Sequence, residues 1–124
     1  MAGHPKRLEF SNQKKELTIV DILHIYWVQT FCLGGIDIRY RGPRKLLSDF
    51  SLDYMAQRLP PCLFFYCGQS NIVNMKRVKS CRRVGKRIKL LLIGNKSIYV
   101  SRLRVSFFLA LLAIYPDITW VEDI

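Results

Sequence analysis

From Tyr54 to Pro116 the sequence contains no aspartate and no glutamate. The same stretch carries twelve cations: Arg58, Lys76, Arg77, Lys79, Arg82, Arg83, Lys86, Arg87, Lys89, Lys96, Arg102 and Arg104. Over the whole chain, 20 Lys and Arg face 9 Asp and Glu. The sharpest concentration is MKRVKSCRRVGKRIK (75–89), where eight of fifteen residues are basic. Such a block repels itself unless something anionic sits against it. Phosphate backbones and anionic lipid headgroups are the two abundant anions of that kind.

Other absences narrow the function. The four cysteines, Cys32, Cys62, Cys67 and Cys81, contain no C-x-x-C pair, and the two histidines, His4 and His24, lie far from them in sequence. Zinc sites usually show tighter paired ligands, so free thiols in a reducing compartment are expected and no metal or other cofactor. LLLIGNKS (90–97) ends an apolar run beside a Gly-Asn-Lys-Ser turn. It lacks the G-x-x-x-x-G-K-[ST] spacing of a phosphate loop, which excludes nucleotide binding by that route. Asp21 and His24 are close enough in sequence to pair, but no third group completes a catalytic set. Asn95-Lys96-Ser97 is a glycosylation sequon without a convincing secretion signal. The chain reads as non-enzymatic.

No repeat, low-complexity tract or clear linker divides the 124 residues. The sequence predicts a polar N-terminal tail (1–11) and one small domain (12–124) containing a basic segment, 76–104. Half the residues are hydrophobic, which argues against disorder by composition.

Ser11 or Asn12 can cap a helix running to about Leu33, where Gly34-Gly35 stops it. That helix covers most of the apolar run LTIVDILHIYWVQTFCLGGI (17–36), which is twenty residues and long enough to span a bilayer. Asp21, His24 and Gln29 inside it favour a helix packed in the core. IDIRYRG (36–42) alternates like a half-buried strand ended by Gly42-Pro43. Ser48 or Ser51 can cap a short helix through Leu59, with Asp53 in its first turn and Arg58 in its last. CLFFYCG (62–68) reads as a buried strand. VSFFLALLAIY (105–115) is too short to span and suits a core or interfacial helix. The fold class expected is α+β: an N-terminal helix plus a short sheet with a C-terminal hairpin.

Two structures compete for 75–93. As a helix, Met75, Val78, Cys81, Val84, Ile88 and Leu91 form one apolar stripe, with cations opposite. As strands, KRIKLLLI (86–93) and IYVSRLRV (98–105) form a hairpin about GNKS. In that register Lys89 faces Arg102 and Arg87 faces Arg104. Like charges directly opposite destabilise a sheet, so these four residues are expected to share a phosphate, unless the register differs.

The leading reading is a small basic protein in a regulatory or accessory role. It binds RNA or DNA with weak sequence specificity through Lys76, Arg77, Lys79, Arg82, Arg83, Lys86, Arg87, Lys89, Arg102 and Arg104. KRVKSCRRVGKR (76–87) also matches a nuclear address, so the expected location is nuclear or cytoplasmic. A second reading is a membrane-associated accessory protein, with 17–36 or 105–115 in the bilayer and the basic block on anionic headgroups. An acidic protein is a further possible partner. A third reading is a short or overlapping reading frame with no settled fold, since its signals conflict across levels.

Overall fold

The computed structural model describes residues 6–11, 17–31, 35–42, 44–68 and 70–122. Among them the protein is β-rich, with eleven strands in three sheets and two short α-helices. The strands are β1 (Arg7–Ser11), β2 (Leu17–Asp21), β3 (Ile25–Thr30), β4 (Ile36–Tyr40), β5 (Arg44–Ser48), β6 (Phe64–Tyr66) and β7 (Asn71–Asn74). They continue with β8 (Val78–Val84), β9 (Arg87–Leu92), β10 (Ser97–Val100) and β11 (Thr119–Trp120). Helix α1 is Leu52–Arg58 and helix α2 is Val105–Leu112.

The expected α+β fold with an N-terminal helix is therefore corrected. Of the span 12–33, residues 17–30 form β2, a 3-10 turn (Ile22–His24) and β3, while Asn12 and Gly34 lie outside the described residues. The physical reason is in the residue types. Ile, Val, Tyr, Trp and Thr dominate the run, and these fit a pleated surface better than a helix. Asp21 accepts a hydrogen bond from the Leu23 amide at 2.9 Å and so caps the 3-10 turn. Residues 7–11, read as part of a polar tail, form β1 against β2, with Phe10 fully buried.

The five-stranded antiparallel sheet, β5-β4-β3-β7-β6, lies between two cores. On one face the β1–β2 hairpin and α1 cover it, burying Phe10, Val20, Ile25, Val28, Ile38 and Met55 together. On the other face Trp27, Phe65 and Val73 meet the four-stranded sheet β10-β9-β8-β11 and Phe108 of α2. Strand β3 is apolar on both sides because it has a core on both sides. A bulge between Ile25 and Trp27 sends Ile25 to the first core and Trp27 to the second.

Helix α1 forms as the sequence predicts. Ser51 caps it by accepting from the Tyr54 amide at 3.1 Å, Asp53 lies in the first turn and Arg58 in the last. The strands expected at 36–42 and 62–68 appear as β4 and β6.

The basic segment is not a helix. Met75–Arg77 is a 3-10 turn leading into β8, and Gly85-Lys86 turns β8 into β9. Val78 and Cys81 share a face at helical spacing because Lys79 is an extra residue in the strand: Val78 opposes Leu92 and Ser80 opposes Leu91. The β9–β10 hairpin forms, but its register is shifted from the expected one. Lys89 pairs with Tyr99 and Ile88 with Val100. Gly94 (φ 92°) and Asn95 (φ 67°) occupy the left-handed region at its tip, which glycine and asparagine tolerate best. Arg102 and Arg104 leave the sheet altogether for a 3-10 turn, Arg102–Arg104, before α2.

Candidate nucleic-acid interface

The register places Ile88, Leu90, Leu92, Ile98 and Val100 in the core. The opposite face of the four-stranded sheet therefore carries Arg82, Arg87, Lys89 and Tyr99. Arg82 stands directly opposite Lys89, so the like-charge pair of this sheet is Arg82/Lys89 rather than Lys89/Arg102. Tyr99 collects cations: its ring lies 4.4 Å from the Arg87 guanidinium carbon and 6.0 Å from the Lys89 ammonium. Both are within cation–π range.

At the end of β10 the sheet opens into a cleft. Arg87, Tyr99, Ser101 and Arg102 line one side, Gly68, Ser70 and Asn71 the other. The Ser101 amide donates to the Cys67 carbonyl at 2.8 Å, holding the two walls together. Gly68 (φ 142°) makes that approach possible, since a Cβ there would sit 2.8 Å from the Ser101 Oγ. Arg104 forms the floor. Its Nε donates to the Tyr66 carbonyl at 3.1 Å, and its guanidinium lies against Phe65 (5.3 Å) and Phe107 (4.8 Å). Arg102 is exposed at the rim.

Three of the four residues expected to share a phosphate, Arg87, Arg102 and Arg104, thus line one cleft. They meet through a corner between sheet and turn and not as cross-strand pairs. Lys89 is joined to them through Tyr99. Arg83 and Lys86 are exposed at and beside the β8–β9 turn. Among the described residues none of Arg83, Lys86, Arg87, Lys89 and Arg102 is paired with a carboxylate, while Arg39 and Lys45 both pair with Asp37.

Lys76 and Arg77 precede β8 and Lys79 is its second residue, so they lie toward the end of the strand away from the β8–β9 turn, Lys79 about 10 Å along it from Arg82 and the facing Lys89. Lys76 and Lys79 are exposed, but Arg77 is half-buried. It stacks on Tyr26 at 4.3 Å, and its carbonyl accepts from the Ile93 amide at 2.8 Å. Arg77 is packed between the sheets and presents little charge to a ligand.

A second cationic feature went unread in the sequence. Arg39 and Lys96 stand over the Trp27 ring at 5.2 and 4.6 Å, beside Gln29 and Asn95. The one legible signal was the alternation of Asp37 and Arg39 along β4, which puts both on the same face. Asp37 is buried there, with Arg39 at 3.6 Å and Lys45 at 3.7 Å.

Asp21 and His24 do not pair. Asp21 caps its turn, and His24 Nδ1 accepts from Arg41 Nε at 3.2 Å. Burial pushes the Cys67 thiol up to about 12, against the opposing pull of the Arg104 charge, and the Cys81 thiol up to about 11. Both are held protonated and unreactive at neutral pH. Among the described residues no three His, Cys, Asp or Glu side chains gather as a metal site, and no helix is long and apolar enough to cross a membrane. Within the run 17–36, residues 17–30 are strand and 3-10 turn and not a membrane helix.

These features define a β-rich domain with a cationic sheet face and cleft. The family model of the LytTr DNA-binding domain matches residues 15–113, and the chain belongs to that family. The fold is also that of a solved LytTr DNA-binding domain from a methyl-accepting/DNA response regulator of Bacillus cereus. The TM-score is 0.76 at 17% identity, over 87% of this chain and 97% of that one. Comparison with curated proteins finds no match. Membership makes this a nucleic-acid-binding regulatory domain, in agreement with the leading reading of the sequence. RNA as the ligand, a nuclear address at 76–87 and membrane association gain nothing from these comparisons. The reading as a chain without a settled fold gives way to the family fold.

Proposed function

We propose that this domain binds double-stranded DNA as a regulatory module, with the backbone phosphates held by the cleft and the sheet face beside it. The observation that carries the reading is the convergence of Arg87 and Arg102, from two different elements, on one open cleft lined by Ser70 and Asn71. Guanidinium groups offer planar paired donors that match phosphate oxygens. The hydroxyl and amide of Ser70 and Asn71 are the groups that accompany them at DNA backbones. Lys86, Arg83 and Lys89 extend the positive surface, and Arg104 braces the cleft floor through Tyr66. Phosphate contacts fix register without reading sequence, so the cations supply affinity, and selectivity belongs to groups that reach base edges.

The test is fluorescence anisotropy with a labelled DNA duplex and an RNA duplex of the same sequence, over a range of salt. The domain binds the DNA duplex more tightly than the RNA. Charge reversal of Arg87 and Arg102 together abolishes measurable binding while leaving the thermal transition in place. Equal affinity of the double variant and the parent for DNA would refute this site.

A further inference from the structure

We infer that the outward face of α2 is a self-association surface, on which a second copy of this chain lays its own α2 antiparallel. Residues 105–115, VSFFLALLAIY, include one polar side chain besides the Tyr115 hydroxyl, Ser106. A helix apolar all round is ordinarily covered all round. Here one side is covered: Phe108 is fully buried and meets Phe65 edge-on at 5.4 Å, with Val105, Leu112 and Tyr115 packed beside it. The other side is open apart from the Arg104 guanidinium, 4.8 Å from the Phe107 ring. Phe107 is 60% and Ile114 61% exposed, and Ser106, Ala110 and Ala113 are exposed between them. The helical path continues past Leu112, since the Ile114 amide donates to the Leu111 carbonyl at 3.1 Å and the Tyr115 amide to the Leu112 carbonyl at 3.0 Å.

The order of residues on this face says what covers it. A two-fold axis at Ala110 sets Ala110 against its own mate, Phe107 against Ala113 and Ser106 against Ile114. Each large side chain then meets a small one, which lets two helices approach closely and interdigitate. Charge agrees with the same arrangement. Arg102 and Arg104 precede the helix, and the first acidic residue after Asp53 is Asp117, exposed just beyond its other end. Antiparallel pairing carries each Asp117 to the Arg102–Arg104 turn of the other copy. A parallel pair would set arginine on arginine, and an anionic lipid surface would repel Asp117. A two-fold contact of this kind is self-complementary, as most homodimer interfaces are. The patch is small, so the dimer is weak and concentration-dependent.

The Arg102–Arg104 turn is shared with the proposed DNA cleft, so the inference is tested on the full chain without DNA. Sedimentation velocity should show the mass rising from one copy, 14.5 kDa, toward twice that value between about 10 μM and 1 mM. Ala110→Glu places like charges on the axis and should raise the dissociation constant at least about 30-fold. Asp117→Lys should raise it about 2- to 10-fold. With Cys32 and Cys62 replaced by Ser, Ala110→Cys should cross-link to a covalent dimer under mild oxidation, because residue 110 meets itself. Leu109→Cys in that background should not. A mass of one copy up to 1 mM overturns the proposal. So does a dimer that survives Ala110→Glu, or a monomer that binds neutral vesicles through the same face.

Discussion

At the scale of single residues, the buried polar groups are few and specific. Asn74 is 1% exposed. Its Nδ2 donates to the Ile25 carbonyl at 2.8 Å, and its Oδ1 accepts from the Lys76 amide at 2.9 Å. It caps the turn before β8 as Asp21 caps the turn before β3, and it also ties the two turns together. Asn74→Ala orphans both partners, and loss of a buried pair costs about 1–3 kcal/mol. A urea midpoint shifted by less than about 0.5 kcal/mol of stability would show that the cap is dispensable. The thiols give a second residue-scale prediction. Cys67 and Cys81 are raised to about 12 and about 11 by burial, above the 9.0 of an exposed thiol. Between pH 9 and 11 the unfolded chain sheds these protons and the folded chain keeps them. Stability is therefore complete below pH 9 and falls as pH rises, by about 1.4 kcal/mol per pH unit for each thiol. Other groups also titrate in this range, so the comparison is with the Cys67→Ala/Cys81→Ala variant, whose stability should fall less steeply. Identical slopes for the two proteins would mean the thiols do not carry the effect.

At the scale of elements, legibility tracked how local the causes were. Helix α1 was readable because Ser51, Asp53 and Arg58 act within one short segment. The run 17–31 was not, because its apolar residues face two cores, and continuous apolarity looks the same in a buried helix and a doubly covered strand. Strand β4 misled in the opposite sense: its alternation implies an exposed Asp37, yet Asp37 is buried among Arg39, Lys45 and Gln29. In 75–93 the helical stripe was an imprint of the bulge at Lys79, which sets Val78 and Cys81 three residues apart on one face. The cleft was legible in its membership more than its geometry. Like charge on Arg87, Arg102 and Arg104 pointed to a shared anion, while the turn that brings them together depends on Ser101 meeting Cys67 across the fold. The bulge makes its own prediction. Removing Lys79 closes the bulge: Val78 then directly precedes Ser80, still opposite Leu92 and still facing the core. The deletion draws the Met75–Arg77 turn one residue toward the sheet and should cost about 1–3 kcal/mol, whereas Lys79→Ala, at an exposed position, should stay within about 0.5 kcal/mol of the parent. Equal stability of the two in urea would remove the structural role assigned to the extra residue.

At the scale of the whole molecule, charge is unevenly shared between two poles of the four-stranded sheet. Asp37 neutralises part of the positive potential near Trp27, and among the described residues no ion pair does so for Arg83, Lys86, Arg87, Lys89 or Arg102. Each phosphate neutralised on duplex DNA releases counterions and contributes about −0.9 to the slope of log affinity against log salt. Five or six contacts at the cleft pole give a slope of about −5. The ten cations first singled out from sequence would give a slope nearer −9 if all engaged. Arg87→Gln with Arg102→Gln should reduce the magnitude by about 2. Lys76→Gln with Lys79→Gln removes as much formal charge from the chain, but at the far end of β8. If affinity followed net charge alone, the two pairs would lower the slope equally. If the cleft is where DNA lies, the Lys76/Lys79 pair leaves the slope unchanged, and duplex titrations between about 50 and 200 mM salt separate these outcomes.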